Sequence, residues 1–343
     1  MKLEKVRYVF LSLVLIFGLG SCGTTSKTKP VKSIAAKQGK RSFDPLLQLG
    51  VIALANKQYR EAFDIFMGFA EQGDSFAQYS LGRMYSEGQG VEQNMQKALK
   101  WMTLSAEQEF SEAQYTLGVW NSKGKGLTKN REKAFHWYLL AAELGHVKAQ
   151  FNVGHAYALG LGVSQDYKRA NKWNHVAAEN GDYKAQHVVG MTYLLGAWVE
   201  ADSVKARKWL TLSAEQGYAE AQYDLGTLYR QGLGGSVDNK IAADLFRSAA
   251  NQGHLKAQNN LGAMYEYGKG VIQNYKLAAK WYRKAANKGL AQAQFNLGDL
   301  FFKGKGVIQN DNIAKIWFRS AALQGHKEAK RIYDLLEITT GKN

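Results

Sequence analysis

Apolar residues along this chain return every three to four positions, and the whole pattern of apolar and polar positions restarts every 36 residues. Gln78, Gln114, Gln150, Gln186, Gln222, Gln258 and Gln294 keep that beat, each preceded by Ala. Four residues after each comes glycine: Gly82, Gly118, Gly154, Gly190, Gly226, Gly262 and Gly298. The i, i+4 spacing of Ala77, Leu81 and Tyr85 predicts a first helix with one apolar face. Gly88 and Gly90, echoed in later units, predict a turn that closes it through left-handed backbone. Asn94, Asn130, Asp166, Asp202, Asp238, Asn274 and Asn310 then stand where a second helix needs a side-chain cap. Ala98, Trp101 and Ala106 form that helix's apolar stripe, and glycines such as Gly145 and Gly253 end it. The prediction is an all-α fold of two-helix repeats, with seven units over residues 74–325. Residues 43–73 read as a shortened capping unit, and 326–343 as a closing helix with a tail.

A glycine inside a helix costs about 1 kcal/mol against alanine. Its return in seven units predicts a neighbouring helix so close that no Cβ fits. Trp101, Trp137, Trp173, Trp209, Trp281 and Trp317 are expected to fill space between units.

The first 42 residues follow a different grammar. Lys2, Lys5 and Arg7 precede an apolar run from Tyr8 to Gly20, too short to cross a bilayer and typical of an export signal. The run ends in Leu19-Gly20-Ser21-Cys22, which resembles the bacterial lipobox. That resemblance implies a signal peptide over 1–21 and acyl chains on Cys22, the single cysteine. Residues 22–42 then read as the lipidated end and a basic tether. Gly23 after the cysteine, by resemblance to Gram-negative lipoproteins, favours the outer membrane, facing the periplasm or the surface. The net charge is +16, and half of it lies in the signal and tether. Such a balance points to solubility and attraction to anionic lipid. No basic recognition motif accompanies it, so nucleic acid is not an expected partner.

The repeated Ala-Gln-x-x-Leu-Gly-x-x-Tyr, Gly-x-Gly-Val, Asn/Asp, Lys-Ala-x-x-Trp and Ala-Ala-x-x-Gly segments resemble the Sel1-like repeats, relatives of the tetratricopeptide repeats. The resemblance spans about residues 46–338. It implies a right-handed α/α superhelical solenoid with the first helices on the concave side. It also implies protein-protein scaffolding rather than catalysis.

Catalytic motifs are scarce. Ser122-Lys-Gly-Lys125 matches Ser-x-x-Lys but sits at the glycine turn without companion motifs. His146, His254 and His326 share one phase of the repeat and read as linker residues, not a metal cluster. No phosphate-cradling loop follows a strand. No enzyme activity, cofactor or metal is expected. The candidate partner contacts are two sets on the first helices. One is aromatic, with Tyr79, Tyr115, Phe151, His187 and Tyr223, for which inter-helix packing is the competing role. The other varies freely one residue after the repeated glycine, with Arg83, Val119, His155, Met191 and Thr227. Trp198, which stands where other turns carry glycine, adds a bulky apolar group. The expected function is a membrane-anchored envelope scaffold that docks an unidentified protein partner. Binding of cell-wall glycan or exported polysaccharide, and a host-facing surface role, are the alternatives.

Overall fold

The computed structural model describes residues 44–340; the export segment, Cys22, the basic tether and the last residues of the tail lie outside them. The described residues hold seventeen helices and no strand. They are α1 (Pro45–Ala55), α2 (Tyr59–Glu71), α3 (Ser75–Glu87), α4 (Met95–Glu107), α5 (Ser111–Lys123), α6 (Arg131–Glu143), α7 (Val147–Leu159), α8 (Tyr167–Glu179) and α9 (Tyr183–Leu195). There follow α10 (Ser203–Glu215), α11 (Ala219–Gln231), α12 (Asn239–Asn251), α13 (Leu255–Tyr267), α14 (Tyr275–Ala286), α15 (Ala291–Lys303), α16 (Asp311–Leu323) and α17 (Lys327–Thr340). Each packs on its sequence neighbour, so the fold is an all-α solenoid of helix pairs. From α3 onward the odd-numbered helices are the first helices of the repeats and the even-numbered ones the second.

The local chemistry sets these boundaries. Gly88 closes α3 at φ +70°, and its N–H and that of Gln89 both bond back to the Met84 carbonyl. Asn94 then opens α4 by accepting the Lys97 N–H at 2.9 Å, and Asn130, Asp166, Asp202, Asp238, Asn274 and Asn310 do the same for their helices. The second glycine of each turn has an additional reason to exist. A Cβ on Gly306 would lie 2.3 Å from the Tyr275 carbonyl carbon at the start of the preceding second helix. Successive turns therefore stack backbone on backbone.

Within each repeat the helix pair meets at the repeated glycine. A Cβ on Gly262 would sit 2.6 Å from the Tyr282 ring, and one on Gly118 would sit 2.5 Å from Tyr138. The close neighbour is the second helix of the same repeat. The side chains against these glycines are Met102, Tyr138, Asn174, Leu210, Phe246, Tyr282 and Phe318, each buried. Burying one of the large apolar ones contributes about 1.5–3 kcal/mol. The tryptophans, expected to be core, stand one residue before these positions and are mostly half-buried, with Trp281 at 8% exposure the buried case. The physical reason is rotational. One residue turns a side chain by about 100° around the helix, so the Trp looks along the stack while its successor looks into the pair.

The chain divides after Asp182 into two compact units. In the first, one buried cluster runs from Leu47 to Trp120 and another from Ala134 to Ala170. In the second, clusters form around Leu210 and Leu225, Phe246 and Leu261, Tyr282 and Leu297, and Phe318 with Ala329. At the start of the first unit, α1 turns Leu46, Leu49 and Ile52 to solvent.

Candidate interaction face of the first helices

The conserved-phase glutamines hold the repeats together. Gln78 Nε2 donates to the Ala70 carbonyl at 3.1 Å, while its Oε1 accepts from Gln108 Nε2 at 2.8 Å. Gln222 and Gln294 make the same pair of bonds, to Ala214 and Ala286 on one side and from Gln252 and Gln324 on the other. A buried amide is thus satisfied at both ends, which offsets the cost of its burial.

The histidines in phase are caps. His146, His254 and His326 accept the N–H of Ala149, Ala257 and Ala329 on Nδ1 at 3.1–3.2 Å. That leaves the proton on Nε2, where His146 donates to Glu112 at 3.3 Å. This bond holds the Glu112 carboxyl below its usual range. Burial pushes His254 below the ordinary histidine value. Each ring also stacks on an aromatic of the previous repeat. His146 lies on Tyr115 at 4.3 Å between centroids, His254 on Tyr223 at 4.6 Å and His326 on Phe295 at 4.5 Å.

This pairing decides where the aromatic candidates stand. Tyr115 and Tyr223 are engaged on both sides, and burial drives the Tyr115 phenol up to about 12 and raises Tyr223 as well. Tyr79 tilts against Phe110 at 5.2 Å. Phe151 is buried, with its ring stacked toward His155. His187 is 3% exposed, with Nε2 at 2.7 Å from the Asp224 carboxylate and its ring edge-on to Tyr218. Here the partners are exchanged: histidine occupies the helix position and tyrosine the cap. Phe151 and His187 therefore serve packing between repeats and present no free surface. Sequence spacing could not reveal this, because the deciding contact lies about 31 residues away.

The freely varying set lies one residue past the packed glycine, turned about 100° away from the second helix. Arg83 is exposed and pairs with Glu87 at 3.3 Å. Val119, His155, Met191 and Thr227 are half-buried, with Val119 and Met191 leaning on the repeat cores. Thr227 Oγ1 donates to the Tyr223 carbonyl at 3.0 Å. Between α11 and α13 this face opens a cleft of about 500 Å³, with Ala263 and Met264 as apolar lining and Arg230, Asn239, Asn260 and Lys269 around it. Trp198 is 41% exposed and adopts φ +62°, the left-handed backbone that glycine provides in the other turns. Ser122 lies within the last turn of α5 rather than in the glycine turn, and its hydroxyl donates to the Val119 carbonyl. Among the described residues no group of three or more His, Cys, Asp or Glu is placed to hold a metal ion, and no helix is long and apolar enough to cross a membrane.

The family described as Sel1 repeat matches residues 75–110, 111–146, 147–182, 184–218, 219–254, 255–290 and 291–326. The chain belongs to the Sel1 repeat family. Sel1 repeats also make up the solved structures it resembles. One is a protective antigen present in uropathogenic Escherichia coli strains with an SLR fold, at 33% identity and TM-score 0.74 over 80% of this chain and 59% of that one. Another is a Sel1 repeat protein of Oxalobacter formigenes, at 30% identity and TM-score 0.63 over 85% of both chains. A sel1-like repeat-containing protein of Acanthamoeba polyphaga mimivirus is 57% identical over 37 residues, which is 11% of this chain and 6% of that protein. The chain thus spans a small part of the viral protein and 59% of the antigen. Sel1 repeat solenoids are typical of protein-protein interaction scaffolds, and the family is generally non-catalytic.

Proposed function

We propose that this Sel1 repeat protein is an envelope scaffold, held to the membrane by acyl chains on Cys22, that docks another protein on the face of its first helices. One observation carries the reading. The glycines, glutamines, caps and phased histidines are all consumed by contacts within and between repeats. The varied positions Arg83, Val119, His155, Met191 and Thr227, with Trp198 at a turn, are what the framework leaves for recognition. Glycan binding is less well supported, because Tyr115 and Tyr223, the rings that would stack on sugars, already stack on histidines.

The test is purification after in-cell crosslinking, repeated with Arg83→Glu, His155→Ala and Met191→Asp. One reproducible protein partner, lost in these variants, supports the reading; absence of any reproducible partner sinks it. The anchor is tested separately: Cys22→Ser moves the protein out of the membrane fraction, and unchanged membrane association contradicts lipidation. The similar antigen of uropathogenic strains favours a surface-facing orientation as a second reading, which protease shaving of intact cells decides.

A further inference from the structure

Two isoleucines of the second unit are almost wholly in water. Ile272 is 91% exposed and Ile308 is 90% exposed. They occupy the same position in successive turns, two residues before the capping asparagine. Other repeats place Glu92, Thr128, Ser164, Glu200 and Ser236 there. The framework therefore has no need of a large apolar group at this site. The preceding valines, Val271 and Val307, pack into the repeat cores and fix each tip outward.

The tips are adjacent. Gly306 in the second turn lies against the Tyr275 carbonyl, three residues beyond Ile272. Gly270 likewise lies against the Asn239 carbonyl, two residues beyond the exposed Val237. Val237, Ile272 and Ile308 thus form one apolar ridge along the turn edge. Lysines flank it. Lys305 Nζ lies 5.3 Å from the centroid of the Tyr275 ring, and Lys240, Lys269 and Lys276 are exposed beside the tips. Of the nearby carboxylates, Asp238 is occupied capping α12 and Asp311 is exposed.

Projecting apolar tips ringed by lysines suit a soft, anionic surface. The isoleucines enter the acyl boundary while the lysines reach phosphate, their stems lying along the apolar layer. A protein partner would instead need a concave pocket for each tip. We propose that the turn edge of the sixth and seventh repeats, through Ile272 and Ile308, docks on an anionic bilayer surface. This contact is additional to the Cys22 anchor and to the first-helix face, and depends on neither.

The experiment uses the full chain with Cys22→Ser, in which no acyl anchor can form. Ile308→Cys then supplies a single thiol for a fluorophore, and Leu323→Cys a control. Leu323 is also exposed but lies at the far end of α16, about 18 Å along the helix. With phosphatidylglycerol-containing vesicles that carry nitroxide lipid, the label at 308 is quenched and the label at 323 is not. Added salt weakens the quenching, and Ile272→Asp reduces vesicle affinity by about tenfold. Equal quenching at both positions, or none at 308, overturns the proposal. So does self-association in the absence of vesicles that Ile272→Asp abolishes, which would make the ridge a contact between copies. Each of these failures leaves the anchor and the first-helix reading standing.

Discussion

At the scale of single residues, the repeated glycine shows how far sequence alone reaches. Its cost inside a helix predicted a close neighbour, but not which one. The structure names the side chain twenty positions on, in the partner helix of the same repeat, as with Gly262 and Tyr282. Gly68 in α2 has nothing within 4 Å of an added Cβ. Gly68→Ala is therefore expected to stabilise the protein by about 1 kcal/mol. Gly262→Ala is expected to destabilise it by about 2 kcal/mol. Opposite shifts in the urea midpoint check both. The capping histidines were legible as a phase, whereas their rings' stacking was not, because the partner aromatic lies 31 residues earlier. Burial keeps His254 below its ordinary value, so it enters the fold neutral. Its contribution is fully present above the unfolded histidine value of about 6.5 and is lost as pH falls through the lower folded value. Asparagine can also cap, so the stability difference between wild type and His254→Asn is expected to shrink as pH falls from about 7.5 to about 5. A difference that grows on acidification would contradict the neutral assignment.

At the scale of elements, the boundaries were the most legible part. Seven Asn or Asp residues in phase became side-chain caps, and the first turn glycines became left-handed helix ends. Asn274→Ala is expected to cost about 1 kcal/mol and to speed amide exchange in the first turn of α14. Asn287→Ala, at the other end of that helix and without a capping side-chain bond in its favour, serves as the control. What the sequence hid were relations between elements. Trp101 looked like the core residue of its helix, yet Met102 fills the glycine notch and is fully buried. The second turn glycine looked like a loop preference, yet it is a backbone contact between successive turns. Both depend on which helix face meets which neighbour, a fact that a period of 36 residues implies but does not orient.

At the scale of the whole molecule, a solenoid adds one repeat's contacts to the next, and its recognition surface is what that addition leaves over. The variable residue after each glycine was visible in the sequence as the place where the pattern relaxes. The exclusion of Phe151 and His187 from that surface was not, since both are buried by contacts specific to their repeats. The central claim is that partners meet the first helices and not the second. The direct test places a photoreactive amino acid at Arg83 or Thr227 on first helices, and at the exposed Lys172 on α8, in living cells. The account predicts one defined protein adduct from Arg83 or Thr227 and none from Lys172. An adduct confined to Lys172, or no adduct from any of the three, would contradict it.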